Sequence, residues 1–199
     1  SAPDPEGPIT MRDQRLDKLA DVLVNYSTGV KKGDVVSIRG DPVAMPAIEA
    51  VYEKVLQAGG HPLWIATPHS LSDILLETGT DEQLQHLPSM YMHEIETVDV
   101  RISFWAETNT RAGGSADPSR ASLMSRARKP YMAEFMRRES AGEIRWVGTL
   151  YPTLASAQDA EMSLRAYEDF VFRAGLLHLD DPAAAWKAIG ERQKKLADW

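Results

Sequence analysis

Val35-Val36-Ser37-Ile38-Arg39-Gly40 is a short run rich in β-branched residues, closed by Asp41-Pro42, and reads as a buried strand. From Met45 through Ala58 the apolar positions Ile48, Val51, Tyr52, Val55 and Leu56 recur at about 3.6 residues, the period of a helix with one face on a core. Gly59-Gly60 supplies the stop. A second apolar run, His61-Pro62-Leu63-Trp64-Ile65-Ala66-Thr67, follows and ends at Pro68. Strand, helix and strand within about 35 residues form a βαβ unit, whose two strands must lie parallel.

The same alternation continues in both directions. Upstream, Arg12 to Tyr26 places Leu16, Leu19, Ala20, Leu23 and Val24 at helical spacing, with Asp13 and Asp17 near the start where a helix favours acids. Downstream, three short helices are predicted over Leu71 to Glu77, Asp81 to Leu87 and Ser89 to Thr97, broken by Gly79 and Pro88. Val98 to Ala106 reads as a third strand, Glu107 to Pro118 as a long polar loop, Arg120 to Arg128 and Tyr131 to Glu139 as helices, and Ile144 to Thr149 as a fourth strand. A single helix is expected from about Ser156 to Ala174, with Ala160, Leu164, Tyr167, Phe170 and Val171 on its apolar face, and a last helix from Ala183 to about Asp198, behind Pro182. The pattern predicts an α/β fold, a Rossmann-like, doubly wound, mainly parallel sheet of four or more strands with helices on both faces. The expected strand order is 2-1-3-4.

Composition narrows the chemistry. The 199 residues carry a formal charge of −7, 43% are apolar and none is cysteine, which excludes disulfide scaffolds, cysteine nucleophiles and thiolate metal sites. The longest stretch without a formal charge, Val55 to Ser72, contains Gly59, Gly60, Pro62 and Pro68, so it cannot cross a bilayer as an apolar helix. No membrane partner is expected, and a cytoplasmic address is the default. Residues 1–10 hold prolines and acids without a signal pattern and read as a leader or tag remnant, leaving 11–199 as a single α/β domain. Charge is uneven, −9 over residues 1–100 and +2 over 101–199. Arg120, Arg126, Arg128, Lys129, Arg137 and Arg138 face only Glu134 between 120 and 138, either as an anion-binding patch or as a solvated helical face. The overall acidity favours the face, and no nucleic acid is expected as a partner.

Motifs for common active sites fail on decisive residues. Gly40 is followed by Asp41-Pro42-Val43, not a dinucleotide fingerprint, and neither Gly33 nor Gly113-Gly114 opens a phosphate loop. His93-Glu94-Ile95-Glu96-Thr97 has Thr where a zinc-binding helix needs its second His. No G-x-S-x-G elbow exists, and Asp180-Asp181 and Glu168-Asp169 read as a helix cap and a wet helix face. Ligands of doubly wound sheets sit beyond the carboxyl ends of the strands, here Arg39-Gly40-Asp41, Thr67-Pro68-His69, Glu107 to Arg111 and Thr149 to Thr153. The loop Glu107 to Arg111 combines a carboxylate, an amide, hydroxyls and a guanidinium, which either orient a charged substrate end or satisfy one another in a polar turn.

The order of segments also resembles a known family. Arg12 to Ala20, Val24-Asn25-Tyr26-Ser27, Lys32-Gly33-Asp34, Ala58 to Pro62, Asn109-Thr110-Arg111 and the block Trp146 to Thr153 running into Ala157 to Leu164 are similar to the thermophilic metallo-aminopeptidases of the aminopeptidase T and aminopeptidase S type. Tyr167 to Val171 and Asp181 to Trp186 extend the resemblance to the end of the chain. It implies exopeptidases that remove N-terminal residues from peptides with a pair of divalent metal ions (zinc, cobalt or manganese), assembled as homodimers. It also implies that the metal ligands lie in the second half of a chain about twice this long, so that none can be placed here. The expectation is an N-terminal, non-metal-binding domain, inactive alone, that walls the substrate cleft with Glu107, Asn109, Thr110, Arg111, Thr149, Tyr151 and Thr153 and supports assembly with a metal-binding C-terminal domain. The alternatives are an autonomous small-ligand or anion-binding module and a dimerisation domain.

Overall fold

A computed structural model of the chain describes residues 12–114 and 116–197. The expected leader at 1–10 and the expected helix end at Asp198 lie outside the described residues. Among the described residues four strands form one all-parallel sheet: β1 (Val35–Gly40), β2 (His61–Ala66), β3 (Val100–Trp105) and β4 (Arg145–Leu150), in the order β2-β1-β3-β4. This is the predicted order, and the direction of connection reverses between β1 and β3.

The helices divide between the two faces of the sheet. On one side α1 (Gln14–Asp21), which continues as a π-type turn over Val22–Ser27, and α2 (Met45–Gln57) pack on Val36 and Ile38 of β1 and Val100, Ile102 and Phe104 of β3. Ile38 and Ile102 are sealed from water, each side chain contributing about 1.5–3 kcal/mol by burial. On the other side α5 (Ser89–Thr97) and α7 (Lys129–Ser140) bury Ile95, Val98, Tyr131, Phe135 and Ile144. The remaining helices are α3 (His69–Thr78), α4 (Asp81–Gln85), α6 (Pro118–Ala127), α8 (Leu154–Asp159), α9 (Leu164–Ala174) and α10 (Pro182–Ala197). Cover on the α5/α7 side is incomplete, because Leu63 on β2, Trp105 on β3 and Trp146 on β4 share that face and are exposed.

The α2–β2 turn shows why two glycines stand together. Gly59 takes a left-handed φ of 81°, and its N–H and that of Gly60 return to the carbonyls of Leu56 and Val55, closing the helix in a Schellman turn. A Cβ on Gly60 would stand 2.9 Å from Val55 and 3.0 Å from Val30, both in packed surroundings. Gly60→Ala is therefore expected to cost about 1–3 kcal/mol through overpacking, read as a lower midpoint of urea unfolding with an unchanged slope.

Two expectations need correction. The helix predicted from Ser156 to Ala174 is two helices, α8 and α9, separated at Glu161, whose φ is +56°. Each half has its own N-cap, Thr153 accepting from the Ser156 N–H and Ser163 accepting from the Ala166 N–H. Its supposed apolar face is not the buried one either: Phe170 and Leu164 are exposed, while Phe172 enters the core. The first helix, predicted as α-helical from Arg12 to Tyr26, widens to π hydrogen bonding from Val22, where Thr28 donates to the Leu23 carbonyl and Arg145 donates to the Thr28 carbonyl.

Candidate functional site

The residues expected to wall one cleft fall into separate places at the carboxyl ends of the strands. Asn109 and Arg111 line a small cavity of about 90 Å³ with Asp73, Leu76 and Glu77 of α3. Asn109 Oδ1 accepts from the Arg111 N–H at 3.0 Å, an Asx turn, and Arg111 reaches Asp159 of α8 at 3.4 Å. Tyr151 lines a larger cleft, about 380 Å³, on the α1/α2 side, between Arg12, Asp13, Glu49, Glu168 and an apolar floor of Leu16 and Phe172. Burial, and then the carboxylates of Glu168 and Asp13, push the Tyr151 hydroxyl above the usual phenol range, so it stays a proton donor. Thr153 is buried and structural: its hydroxyl donates to the Glu107 carbonyl at 2.5 Å and caps α8. Thr149 is a ladder residue of β4 paired with Phe104, Glu107 is exposed, and Thr110 is half-buried in the turn. Among the described residues, Asn109 and Arg111 thus line one hollow, Tyr151 another, and the other four neither.

A different constellation lies at the switch point between β1 and β3. Ser37 pairs with Arg101 and Arg39 with Ser103, so four polar side chains share the sheet face that α5 and α7 cover. Buried Glu94 of α5 accepts from the Ser37 hydroxyl at 2.7 Å, from Arg39 Nη1 at 3.1 Å and from the buried Tyr131 hydroxyl at 3.1 Å. Arg101 donates to Tyr131 at 2.8 Å and to Ser103 at 3.3 Å. Its guanidinium lies 5.1 Å from the ring of Phe135 and 5.6 Å from that of Tyr131. Burial lifts the Tyr131 phenol above its ordinary range, which keeps it a donor to Glu94. Apart from Arg39, a strand-end residue, and Glu94, part of the failed zinc-helix motif, the sequence alone does not single these residues out. The readable signal was the alternation Ser37/Arg39 and Arg101/Ser103, polar residues at period two on strands whose other face is wholly apolar.

Of the six basic residues in the segment 120–138, Arg120 and Arg138 are spent inside the fold and the other four are exposed. Arg120 donates to the carbonyls of Leu76 and Gly79, ending α3. Arg138 donates to the carbonyls of Ile95 and Val98 at 2.8 and 2.7 Å, ending α5. Arg137 pairs with Glu134 and Glu143, which raise its pKa, and only the remainder of the segment is left as a solvated face.

The model of the thermophilic metalloprotease family (M29) matches residues 12–199 of this sequence. The chain belongs to that family. The M29 chain is 21% identical over 198 residues to aminopeptidase 2 of Geobacillus stearothermophilus, covering 94% of this sequence and 48% of that protein. Its fold superposes on wild-type AmpT from Thermus thermophilus with a TM-score of 0.76 at 17% identity, over 92% of this chain and 48% of that one. The chain spans about half the length of both relatives.

A metalloprotease family implies a metal, and the donors of this M29 chain do not suit one. Among the described residues no three His, Asp or Glu side chains gather where they could share an ion. All five histidines, His61, His69, His86, His93 and His178, are exposed and scattered over different elements. Glu94 and Asp34 are paired with Arg39 and Arg145, and Asp41 and Asp99 accept from backbone N–H groups. No step of catalysis is therefore routed through a metal on these residues.

Proposed function

We propose that this chain forms the non-metal-binding half of a metal-dependent aminopeptidase, an N-terminal domain that shapes the substrate cleft and supports assembly of a homodimeric enzyme acting on peptide N-termini. The observation that carries the reading is the family match across residues 12–199 combined with coverage of only 48% of each relative. The remaining polypeptide would hold the divalent pair, zinc, cobalt or manganese. The uncovered strip of sheet bearing Trp105 and Trp146 supports a fold that packs against further polypeptide, since contiguous exposed aromatic surface is costly in water. Within this reading Tyr151, with a protonated hydroxyl beside Glu168 and Asp13, and Asn109 with Arg111 offer polar contacts from two rims of the sheet's carboxyl end.

The test is turnover. The purified 199-residue chain is expected to release no product from aminoacyl p-nitroanilides in zinc, cobalt or manganese, and activity should require co-expression with the metal-binding remainder. Turnover by the chain alone, abolished by a chelator, would overturn the assignment.

A further inference from the structure

Arg101 is a charged side chain largely withdrawn from water that lacks an acid of its own. Among the described residues no carboxylate lies within ion-pairing distance of it, and its side-chain acceptors are the hydroxyls of Ser103 and Tyr131. Burial accordingly pulls its pKa below the ordinary arginine value. Glu94 pairs with Arg39, so two guanidiniums and one carboxylate leave the cluster with one net positive charge. An uncompensated charge in a half-dry site is expensive, and folds that keep one usually meet it with a counter-ion.

Both guanidiniums keep donors for that counter-ion. Arg39 donates through Nη1 alone, and Arg101 through Nε and Nη1. The one side-chain nitrogen or oxygen among the described residues sealed from water without a partner is Trp64 Nε1, so the arginine nitrogens that make no hydrogen bond are not wholly sealed, although the Arg39 side chain is only 13% exposed. Aromatic rings lie within cation–π reach of both guanidiniums, Tyr91 at 5.8 Å from Arg39 and Phe135 at 5.1 Å from Arg101. The two arginines lie on the sheet face beside α5 and α7, on the neighbouring strands β1 and β3.

We propose that the free N–H edges of Arg39 and Arg101 form a binding site for the carboxylate of a small apolar acid, including the C-terminal carboxylate of a short peptide. A monoanion fits because it cancels the single surplus charge, whereas a phosphate dianion would overshoot it. An apolar body fits because Tyr91, whose ring centre lies 5.8 Å from the Arg39 guanidinium, is partly exposed. The site uses none of the residues expected at the cleft and stands whether or not the chain serves a peptidase.

The experiment is a thermal-shift titration of the 199-residue chain with N-acetylphenylalanine, N-acetylphenylalaninamide and inorganic phosphate. At about ten times Kd the acid should raise Tm by about 3–6 °C, the amide should not, and phosphate should act more weakly. Arg101→Met, close to arginine in length, should abolish the shift; Arg101→Lys, which keeps the charge but loses the fork, should weaken binding at least tenfold and serves if the methionine variant does not fold. An equal shift from the amide, a stronger one from phosphate, a shift that survives both substitutions, or none at saturating acid would overturn the proposal.

Discussion

Glu94→Gln is expected to remove about 3–5 kcal/mol of folding stability. The side chain is buried and accepts three hydrogen bonds, from Ser37, Arg39 and Tyr131, so its charge is fully used. Gln keeps the volume but cancels the cluster's one carboxylate, which pairs with Arg39, and its amide nitrogen turns a donor toward donors. Arg39 and Arg101, diagonal neighbours on adjacent strands, would then repel each other in a site of low dielectric. Urea unfolding measures the loss, which is a third or more of the stability of an ordinary domain. A cost near 1 kcal/mol, the usual value of one neutral hydrogen bond, would mean that water already screens the cluster. In the double variant with Arg101→Met part of the loss should return, because the second substitution removes the charge that the first leaves unanswered; simple additivity would deny that coupling.

Arg138→Met should cost about 2–4 kcal/mol for a different reason. The guanidinium is buried and serves as a cap, donating to the carbonyls of Ile95 and Val98 at the end of α5 and to that of Glu143 at 3.1 Å just before β4. Met fills the space and leaves those carbonyls without donors in a region closed to water. Arg137→Met provides the contrast: its partners Glu134 and Glu143 are on the surface, where such pairs contribute less than about 1 kcal/mol. Equal losses for the two variants would show that the basic segment acts as a surface field and that Arg138 has no special role.

The sheet was readable from the sequence because each strand is a short run rich in β-branched and aromatic residues, and some are flanked by punctuation, as Gly59-Gly60 and Pro68 flank β2. The strand order was not readable from residues and rested on analogy with other doubly wound sheets. The break inside 156–174 was not readable, since Ala160, Leu164 and Tyr167 keep helical spacing across Glu161 and periodicity carries no information about a single residue's φ. The strand-end loops were located correctly as polar segments, but their side chains turned out to serve the loops: Thr153 holds Glu107, and Asn109 holds the Arg111 backbone. The network around Glu94 was hidden because its members lie far apart in sequence, and only the strand register brings Ser37 beside Arg101.

Pro62 gives the sheet a direction in which it resists growth. It lies on the outermost strand, where the preceding residue, His61, donates its N–H inward to the Asp34 carbonyl. The position of the proline nitrogen therefore falls on the outward side, and it carries no hydrogen. An extended segment from another molecule that docks along this border meets a missing rung beside the exposed Leu63, so a sticky, apolar margin is guarded against templated aggregation by the absence of a single proton.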